Sequence, residues 1–288
     1  MLKTRIITAV VLLAAFCFAL FRLSSLGWTL VATLVAAIAA WEWGGLMRLG
    51  KEGRLGLAIF FAGICGMFVW LVPEALGIGV GGRGIDQAAW SLGRWFYIPA
   101  AIFWFGVVPL WMRSRWALSG DRLGAVWGVL TGVVVILPAW LALVQLRMLG
   151  AWTLIAVMAV AWVADVAAYF SGRAFGRHKL APTISPGKTW EGAFGGAAAV
   201  VVYVFFIVFP RLPTEFADRF PWYLFFAFAV LLTIISVIGD LFESLLKRQA
   251  GLKDSSSILP GHGGVLDRID SLTSMLPLVA LVWLGTLS

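Results

Sequence analysis

The stretch AWTLIAVMAVAWVADVAAYF, residues 151–170, contains a single charged side chain, that of Asp165. A bilayer core of ~30 Å is crossed by a helix of about 20 mostly apolar residues, which is the length of this stretch. It lacks the alternation of a barrel strand, and a helix satisfies its backbone hydrogen bonds without water. The sequence therefore predicts a transmembrane helix here, with a carboxylate inside it.

The rest of the chain has the same apolar character. Of its 288 residues, 61% are hydrophobic and 12% charged, and the mean hydropathy is +0.96. Soluble domains are only about half apolar and about a quarter charged. We therefore predict an all-α, polytopic integral membrane protein with about nine transmembrane helices. The expected spans are approximately 6–21, 28–47, 55–80, 95–112, 123–146, 149–171, 192–209, 221–241 and 271–288.

The first span follows Lys3 and Arg5, as the apolar part of a secretory signal peptide would. No small-x-small cleavage site closes the run, which ends in FALFRL. We expect this span to be retained in the membrane.

The Lys and Arg residues divide unequally between the two sides that nine spans define. Sixteen of the 22 fall at the N-terminus and in the even-numbered loops, and six fall on the opposite side. Because cytoplasmic loops carry the excess of basic residues, we expect the N-terminus and these loops to be cytoplasmic and the C-terminus to face outward. Topology thus explains much of the net charge of +8, so nucleic acid is not an expected partner. Anionic lipid headgroups or a soluble phosphorylated substrate suit this side better.

We expect two regions, 1–147 with spans one to five and 148–288 with spans six to nine. The second region contains the two long cytoplasmic loops, 171–196 and 242–270, whereas the outer breaks 81–94 and 210–220 have ordinary connecting sequences. Cys17 and Cys65 lie in apolar spans without a second Cys or a His nearby, so neither a disulfide nor a zinc site is predicted.

The first cytoplasmic loop, SGRAFGRHKLAPTISPGKTWEGAFGG, is basic and ends before a span. Gly187-Lys188-Thr189 resembles the end of a phosphate-binding P-loop, but Pro182 stands where that motif requires glycine. Ser185, Lys188 and Thr189 still form a phosphate-friendly cluster just before a helix N-terminus, which itself attracts anions. A solvated loop that only sets topology is an equally open interpretation.

Two acids fall inside apolar spans. An unpaired carboxylate in a membrane is costly, and Asp165 is therefore a candidate functional residue, with Tyr169 one turn further on the same face. The alternative is a structural pair between Asp165 and Arg173. Glu42, in WEWGG, lies nearer a helix end, and we expect it at the membrane interface beside its tryptophans.

The second cytoplasmic loop joins two groups of acids. On the helix that leaves span eight, Asp240, Glu243, Ser244 and Lys247 share one face. Beyond Gly251 the chain is rich in Ser, Gly and Pro, which predicts turns. Acids recur at Asp267 and Asp270, in the first turn of span nine, and we expect Asp267 at a solvated helix start. An all-oxygen set suits Mg²⁺, or Mn²⁺ in its place, and interleaved basic residues suit phosphates, which indicates phosphoryl or nucleotidyl transfer.

These residues carry a specific resemblance. SPGKTWEG, residues 185–192, is similar to one motif of the phosphatidate cytidylyltransferases, also named CDP-diacylglycerol synthases, and Asp165 stands where that family has an acid upstream. The family's main signature resembles the run Ser244-x-Leu246-Lys247-Arg248-x4-Lys253-Asp254-x-Ser256-x2-Leu259-Pro260-x-His262-Gly263-Gly264-Val265-x-Asp267-Arg268-Ile269-Asp270.

The resemblance implies that CTP and phosphatidate react to give CDP-diacylglycerol and pyrophosphate, with Mg²⁺ required. It also implies a homodimer, and the absence of a long soluble tail is typical of a bacterial inner-membrane enzyme. Metal binding falls to Asp240 and Asp267, with Asp165 and Asp270 as further ligands or orienting groups. Catalysis is expected from Asp240, Asp267, Lys247 and Lys253, and substrate binding from Ser185, Lys188, Thr189, Arg248, His262, Gly263, Gly264 and Arg268.

Two other functions would account for parts of this sequence. A membrane phosphotransferase of the CDP-alcohol type would carry a DG-x2-AR signature, and this chain contains no Asp-Gly pair. A cation or proton transporter could use Asp165 and Glu42, but it would more naturally contain broken helices in two corresponding halves. Here the polar residues concentrate in the last third of the chain.

Overall fold

The computed structural model describes residues 2–79, 90–118, 122–211 and 221–287. These ranges contain nine helices and one pair of strands, and eight of the helices are long and apolar enough to cross a membrane. The predicted all-α polytopic membrane fold is therefore confirmed. The elements are α1 (Leu2–Arg22), α2 (Ser25–Leu46), α3 (Lys51–Leu71), α4 (Arg94–Ser114), α5 (Arg122–Met148), α6 (Ala151–Phe175), β1 (Lys179–Ala181), β2 (Ser185–Thr189), α7 (Trp190–Arg211), α8 (Trp222–Ala250) and α9 (Leu266–Leu287).

Several helix ends differ from the predicted spans for local reasons. The span expected over 55–80 ends as α3 at Leu71, because Pro73 begins a separate 3-10 turn that Gly77 closes in the left-handed conformation. Helix α8 continues beyond its expected end to Ala250, where Gly251 at φ +77° stops it. Most of the predicted outer connections 81–94 and 210–220 falls at 80–89 and 212–220, outside the described residues.

Small residues allow α6 and α7 to approach closely. A Cβ on Gly195 would lie 2.1 Å from the Ser171 hydroxyl, and one on Gly192 would lie 2.8 Å from the Ala168 carbonyl oxygen. Small residues at such crossings let helix backbones pack tightly in membranes. The contact brings the start of α7 against the half of α6 that contains Asp165.

Helices α8 and α9 meet at a second glycine. A Cβ on Gly239 would lie 2.9 Å from the Asp270 carbonyl oxygen and 2.5 Å from the Ser274 hydroxyl. Ser274 also donates a hydrogen bond of 2.9 Å to the Ile235 carbonyl. Helix α9 packs against α2 and α5 as well as α8, and its acidic first turn is therefore enclosed by other helices.

The strands β1 and β2 form a short antiparallel hairpin between α6 and α7, an element that the sequence did not predict. Lys179 pairs with Thr189, and Ala181 with Ser185. Next to the hairpin, His178 Nδ1 lies 2.6 Å from Glu191 Oε1. The Thr189 hydroxyl accepts the Gly192 N–H at 3.1 Å and caps α7. These contacts fix the segment that carries Lys188.

Candidate active site

A cleft of about 430 Å³ lies between α6, β2, the start of α7 and α8, and we name it the hairpin cleft. Helix periodicity directs Asp165 and Asp240 into it from α6 and α8, and the hairpin supplies its basic side. Small side chains and helical glycines form the remaining wall, which leaves room for a ligand. Its polar lining consists of Asp165, Tyr169, Arg173, Ser185, Lys188, Thr189, Thr233 and Asp240.

The centre of the hairpin cleft is an ion pair between two segments that are far apart in the sequence. Lys188 Nζ lies 2.6 Å from Asp240 Oδ2, and the two side chains are 26% and 25% exposed. The other Asp240 oxygen accepts a hydrogen bond of 3.2 Å from Ser244. The charges of Asp240, Lys188 and Arg268 act on the Asp165 carboxylate. The structure thus brings Asp165 and Asp240 close to Lys188.

Arg173 contacts a different residue from the one considered as its partner. Its guanidinium donates to the Tyr169 hydroxyl at 3.3 Å. The cations that act on Asp165 are Lys188 and Arg268. A structural pair between Asp165 and Arg173 therefore does not account for the acid in this span.

A second cleft, of about 600 Å³, is formed by the segment 251–265, which we name the signature loop. The Nδ1 atom of His262 is buried and has no hydrogen-bond partner there. Gly263 adopts φ +83°, a left-handed conformation that favours glycine. Arg248 is exposed near the end of α8 and lines neither cleft. The polar lining of this signature-loop cleft includes Lys253, Asp254, Ser256, Ser257, His262 and Arg268.

Asp267 is enclosed, and the expectation of a solvated helix start is wrong. Its side chain is 5% exposed, and Oδ1 lies 2.6 Å from Lys247 Nζ. Oδ2 accepts hydrogen bonds from the Ser255 and Gly264 N–H groups at 2.9 and 2.8 Å. The reason is tertiary: the signature loop folds back over the first turn of α9 and supplies donors to its carboxylate.

Further along α8, Glu243 and Lys247 point toward α9 rather than toward water. Lys247 Nζ also lies 3.3 Å from Glu243 Oε1, and the Lys247 and Glu243 side chains are 11% and 5% exposed. Asp270 interacts electrostatically with both Glu243 and Asp240, and one of its oxygens accepts the Ser271 N–H at 2.7 Å. Several acids are therefore gathered around one lysine between these two helices.

Glu42 is buried inside the protein, whereas a side chain exposed at the membrane interface was expected. The residue is 0% exposed, and its carboxylate accepts hydrogen bonds from Ser255, Ser256, Val265 and Leu266. One feature of the sequence indicated a role for Glu42, namely an acid inside an apolar span, and the same feature singled out Asp165. Its partners could not be deduced, because they lie more than 200 positions further along the chain.

The carboxylates suit a hard cation by their chemistry, although the described residues contain no group of three or more His, Cys, Asp or Glu arranged to hold a metal. Mg²⁺ usually takes one or two carboxylates and completes its shell with waters and substrate phosphates. Asp240 is partly exposed at the hairpin cleft and lies within electrostatic reach of Asp165 and Asp270. By their chemistry these three carboxylates suit a divalent cation, whereas Asp267 is bound by Lys247 and by N–H groups of the signature loop.

An apolar groove of about 290 Å³ adjoins the signature loop and runs between α1, α2, α5, α6 and α9. Its walls are aliphatic and aromatic, and they include Phe16, Trp28 and Trp140. Arg268 lines this groove and also lines the signature-loop cleft. The cationic side chain of Arg268 therefore lies between the apolar groove and the polar signature-loop cleft.

Comparison with known proteins gives a consistent result over the whole chain. A model of the cytidylyltransferase family matches residues 3–284. A phosphatidate cytidylyltransferase of Pseudomonas aeruginosa is 39% identical over 290 residues, which cover 98% of this chain and 97% of that protein. One from Haemophilus influenzae is 36% identical over 291 residues, covering 96% of each chain. One from Thermotoga maritima is 41% identical over 137 residues, covering 48% of this chain and 51% of that protein.

Proposed function

This chain belongs to the cytidylyltransferase family and makes CDP-diacylglycerol from CTP and phosphatidate, and on that premise we propose how its residues perform the transfer. The observation that carries the proposal is the Lys188–Asp240 pair at 2.6 Å in the hairpin cleft, with Asp165 beside it. In this proposal the cleft receives the triphosphate of CTP.

The chemistry requires positioning and charge neutralisation more than proton transfer. Phosphatidate presents an ionised phosphate, so its oxygen attacks the α-phosphorus of CTP without a strong general base. The new P–O bond forms as the bond between the α-phosphorus and the bridging oxygen of pyrophosphate breaks, and the electron pair leaves with pyrophosphate. Two polyanions have to be brought together, and their charge has to be offset as it moves.

The basic residues divide this task between the two clefts. Lys188 contacts the CTP phosphates, with Ser185 and Thr189 beside it on β2, and Lys253 and Arg268 approach them from the signature loop and α9. Lys247 neutralises the acids between α8 and α9 and so maintains the catalytic geometry. Arg248 lies outside both clefts and contacts the substrate phosphates from their edge. His262, Gly263 and Gly264 form the backbone cradle for the nucleotide.

We further propose that the reaction depends on Mg²⁺, which Mn²⁺ can replace. Asp240 would hold the ion, Asp165 and Asp270 would complete or orient its ligands, and Asp267 would join them by exchanging its contact with Lys247 for the ion. When bound, the ion would neutralise phosphate charge during transfer. Lys188 would exchange its contact with Asp240 for substrate oxygens as the site fills. Binding of Mn²⁺ by the purified protein, and its weakening in Asp240→Asn, tests this assignment without turnover.

Phosphatidate is proposed to enter from the apolar groove. Arg268 lines both the groove and the polar signature-loop cleft, so its guanidinium can contact a lipid phosphate while an acyl chain stays among apolar side chains. An arginine binds phosphate through two parallel hydrogen bonds, which would orient the attacking oxygen. The lipid therefore needs no passage through water to reach CTP.

The proposed setting is a bacterial inner membrane, with the N-terminus, the hairpin and the signature loop on the cytoplasmic side. The basic-residue asymmetry and the bacterial relatives support this, as does the need for both clefts to meet water-soluble CTP. The family resemblance supports a homodimer. Chemical cross-linking in native membranes tests that state, and a protein that remains monomeric at every cross-linker concentration would contradict it.

The decisive experiment for the reaction uses two labelled forms of CTP. The purified protein is incubated with phosphatidate, Mg²⁺ and CTP labelled at either the α- or the γ-phosphate. The α-label should appear in a lipid and the γ-label in pyrophosphate. Transfer of the γ-label to lipid would indicate a kinase-like reaction instead. The absence of label from both products, together with cation flux in liposomes, would favour a transporter.

A further inference from the structure

Glu42 lies on α2, in the N-terminal region, yet its carboxylate binds the signature loop and the start of α9. Oε1 accepts hydrogen bonds from the Ser256 hydroxyl at 2.6 Å and the Val265 N–H at 3.0 Å. Oε2 accepts them from the Leu266 N–H at 2.6 Å and the Ser255 hydroxyl at 3.1 Å. Both oxygens are therefore used twice, and the residue is fully buried.

Two of these donors belong to a helix terminus. The first N–H groups of a helix have no partner within it, and a buried terminus needs another acceptor. Glu42 supplies that acceptor to Val265 and Leu266, where α9 begins, and its negative charge suits the positive end of the helix dipole. A residue of α2 thus caps α9 and fixes where the signature loop ends.

The same carboxylate is linked to Asp267 through a shared serine. The Ser255 hydroxyl lies 3.1 Å from Glu42 Oε2 and 3.1 Å from Asp267 Oδ2. Gly264 fits between these groups because it lacks a side chain: an added Cβ would lie 2.5 Å from Glu42 Oε1 and 2.0 Å from the Ser255 hydroxyl. The two ends of the signature loop are therefore packed on Glu42 and Asp267.

We propose that Glu42 is a positioning residue for cytidylyl transfer, which holds the signature loop and the start of α9 so that Lys253, His262 and Arg268 face the substrates. The inference rests on the proposed function of that loop as a phosphate-binding element. Glu42 itself touches no substrate. By holding the loop, Glu42 keeps the residues that contact the substrates within the narrow range of positions that a transfer reaction requires.

Glutamine cannot replace this carboxylate, although it has nearly the same shape. In either orientation, its NH₂ group faces the backbone N–H of Val265 or of Leu266. A serine hydroxyl can rotate to accept a hydrogen bond, but a backbone N–H can only donate. Glu42→Gln therefore leaves one buried N–H without an acceptor and sets two donors against each other.

The test compares Glu42→Gln with Glu52→Gln, which removes an acid from an exposed position on α3. We expect Glu42→Gln to lower kcat by about tenfold or more, and Glu52→Gln to stay within about twofold of wild type. KM for CTP should change less than kcat, because the hairpin cleft remains intact. Hydrogen exchange at Val265 and Leu266 should accelerate in Glu42→Gln alone. Wild-type kcat and unchanged exchange in Glu42→Gln would overturn the proposal.

A second variant keeps the proposal testable if Glu42→Gln fails to fold. Ser256→Ala removes one donor to Glu42 and leaves the two backbone hydrogen bonds in place. It should lower kcat less than Glu42→Gln does, with faster exchange in the signature loop, and it should add little to Glu42→Gln in the double variant. Independent, additive effects, or wild-type turnover and exchange in Ser256→Ala, would contradict positioning through this contact.

The exchange measurements need no turnover, so they separate this inference from the proposed function. If wild-type protein forms no labelled lipid, the proposed function fails whatever Glu42 does. If wild type forms the lipid and Glu42→Gln leaves both the loop and turnover unchanged, the positioning role alone fails.

Discussion

Replacing Asp267 with asparagine should stop lipid product formation and also destabilise the protein. The Asp267 carboxylate lies 2.6 Å from Lys247 Nζ and accepts the N–H groups of Ser255 and Gly264. An asparagine whose oxygen faces the two N–H groups would direct its NH₂ group at the Lys247 ammonium. The opposite orientation would direct it at the two backbone donors. Neither orientation satisfies every partner.

The expected cost follows from burial. The Lys247 and Asp267 side chains are 11% and 5% exposed, so water screens the pair little. Removing one partner of a buried ion pair costs about 3–5 kcal/mol, and we expect the lower end, about 3 kcal/mol, because Lys247 keeps Glu243 at 3.3 Å. The helix dipole adds only about 0.3–1 kcal/mol. A loss of this size corresponds to a fall of roughly 6–12 °C in the unfolding temperature.

The assay measures thermal unfolding in detergent by tryptophan fluorescence, together with lipid product across a Mg²⁺ titration. Asp254→Asn is the matched control for stability, because it removes a carboxylate from an exposed position of the same loop and should change the free energy of unfolding by less than about 0.5 kcal/mol. Wild-type activity of Asp267→Asn at ordinary Mg²⁺ would remove Asp267 from catalysis. An unfolding temperature equal to wild type would refute the argument from the buried ion pair.

Three further predictions concern the hairpin, the topology and the helix packing. Lys188→Ala should lower kcat/KM for CTP by about tenfold or more with little change in stability. Lys179→Ala, at an exposed hairpin position, should leave kcat/KM unchanged. Equal activities of the two variants would contradict the phosphate contact. Single cysteines at Lys179 and Ser257, in a cysteine-free background, should both react with an impermeant reagent from the cytoplasmic side, and labelling from opposite sides would exclude a shared site. Gly195→Ala should lower the stability measured by thermal unfolding by about 1–3 kcal/mol. Gly63→Ala is the control, because its Cβ would enter open space. Equal losses of stability would contradict tight packing of α6 on α7.

Apolar length and helical spacing were enough to predict the helices and many residues of the proposed site. A chain in lipid has to satisfy its backbone within each segment, so apolar length alone predicts a helix. The acids on α8 and α9 could be assigned to helix faces because helical spacing is a local property. The hairpin was missed because its sequence, Lys179 to Thr189, reads as a polar loop, and its pairing depends on the contact of β2 with α7 and on the His178–Glu191 pair.

The contacts between buried charges could not be predicted in this way, because they depend on how the helices pack. Glu42 and Leu266 are separated by 224 positions, and Lys188 lies on the hairpin whereas Asp240 lies on α8. Asp165 and Glu42 are both acids inside apolar spans of the sequence. Asp165 lines the hairpin cleft, whereas Glu42 is fully buried among hydrogen-bond donors. Local sequence fixes the period and the length of a helix. Its neighbours, and with them the solvation and partners of each carboxylate, depend on side-chain packing among all the helices at once.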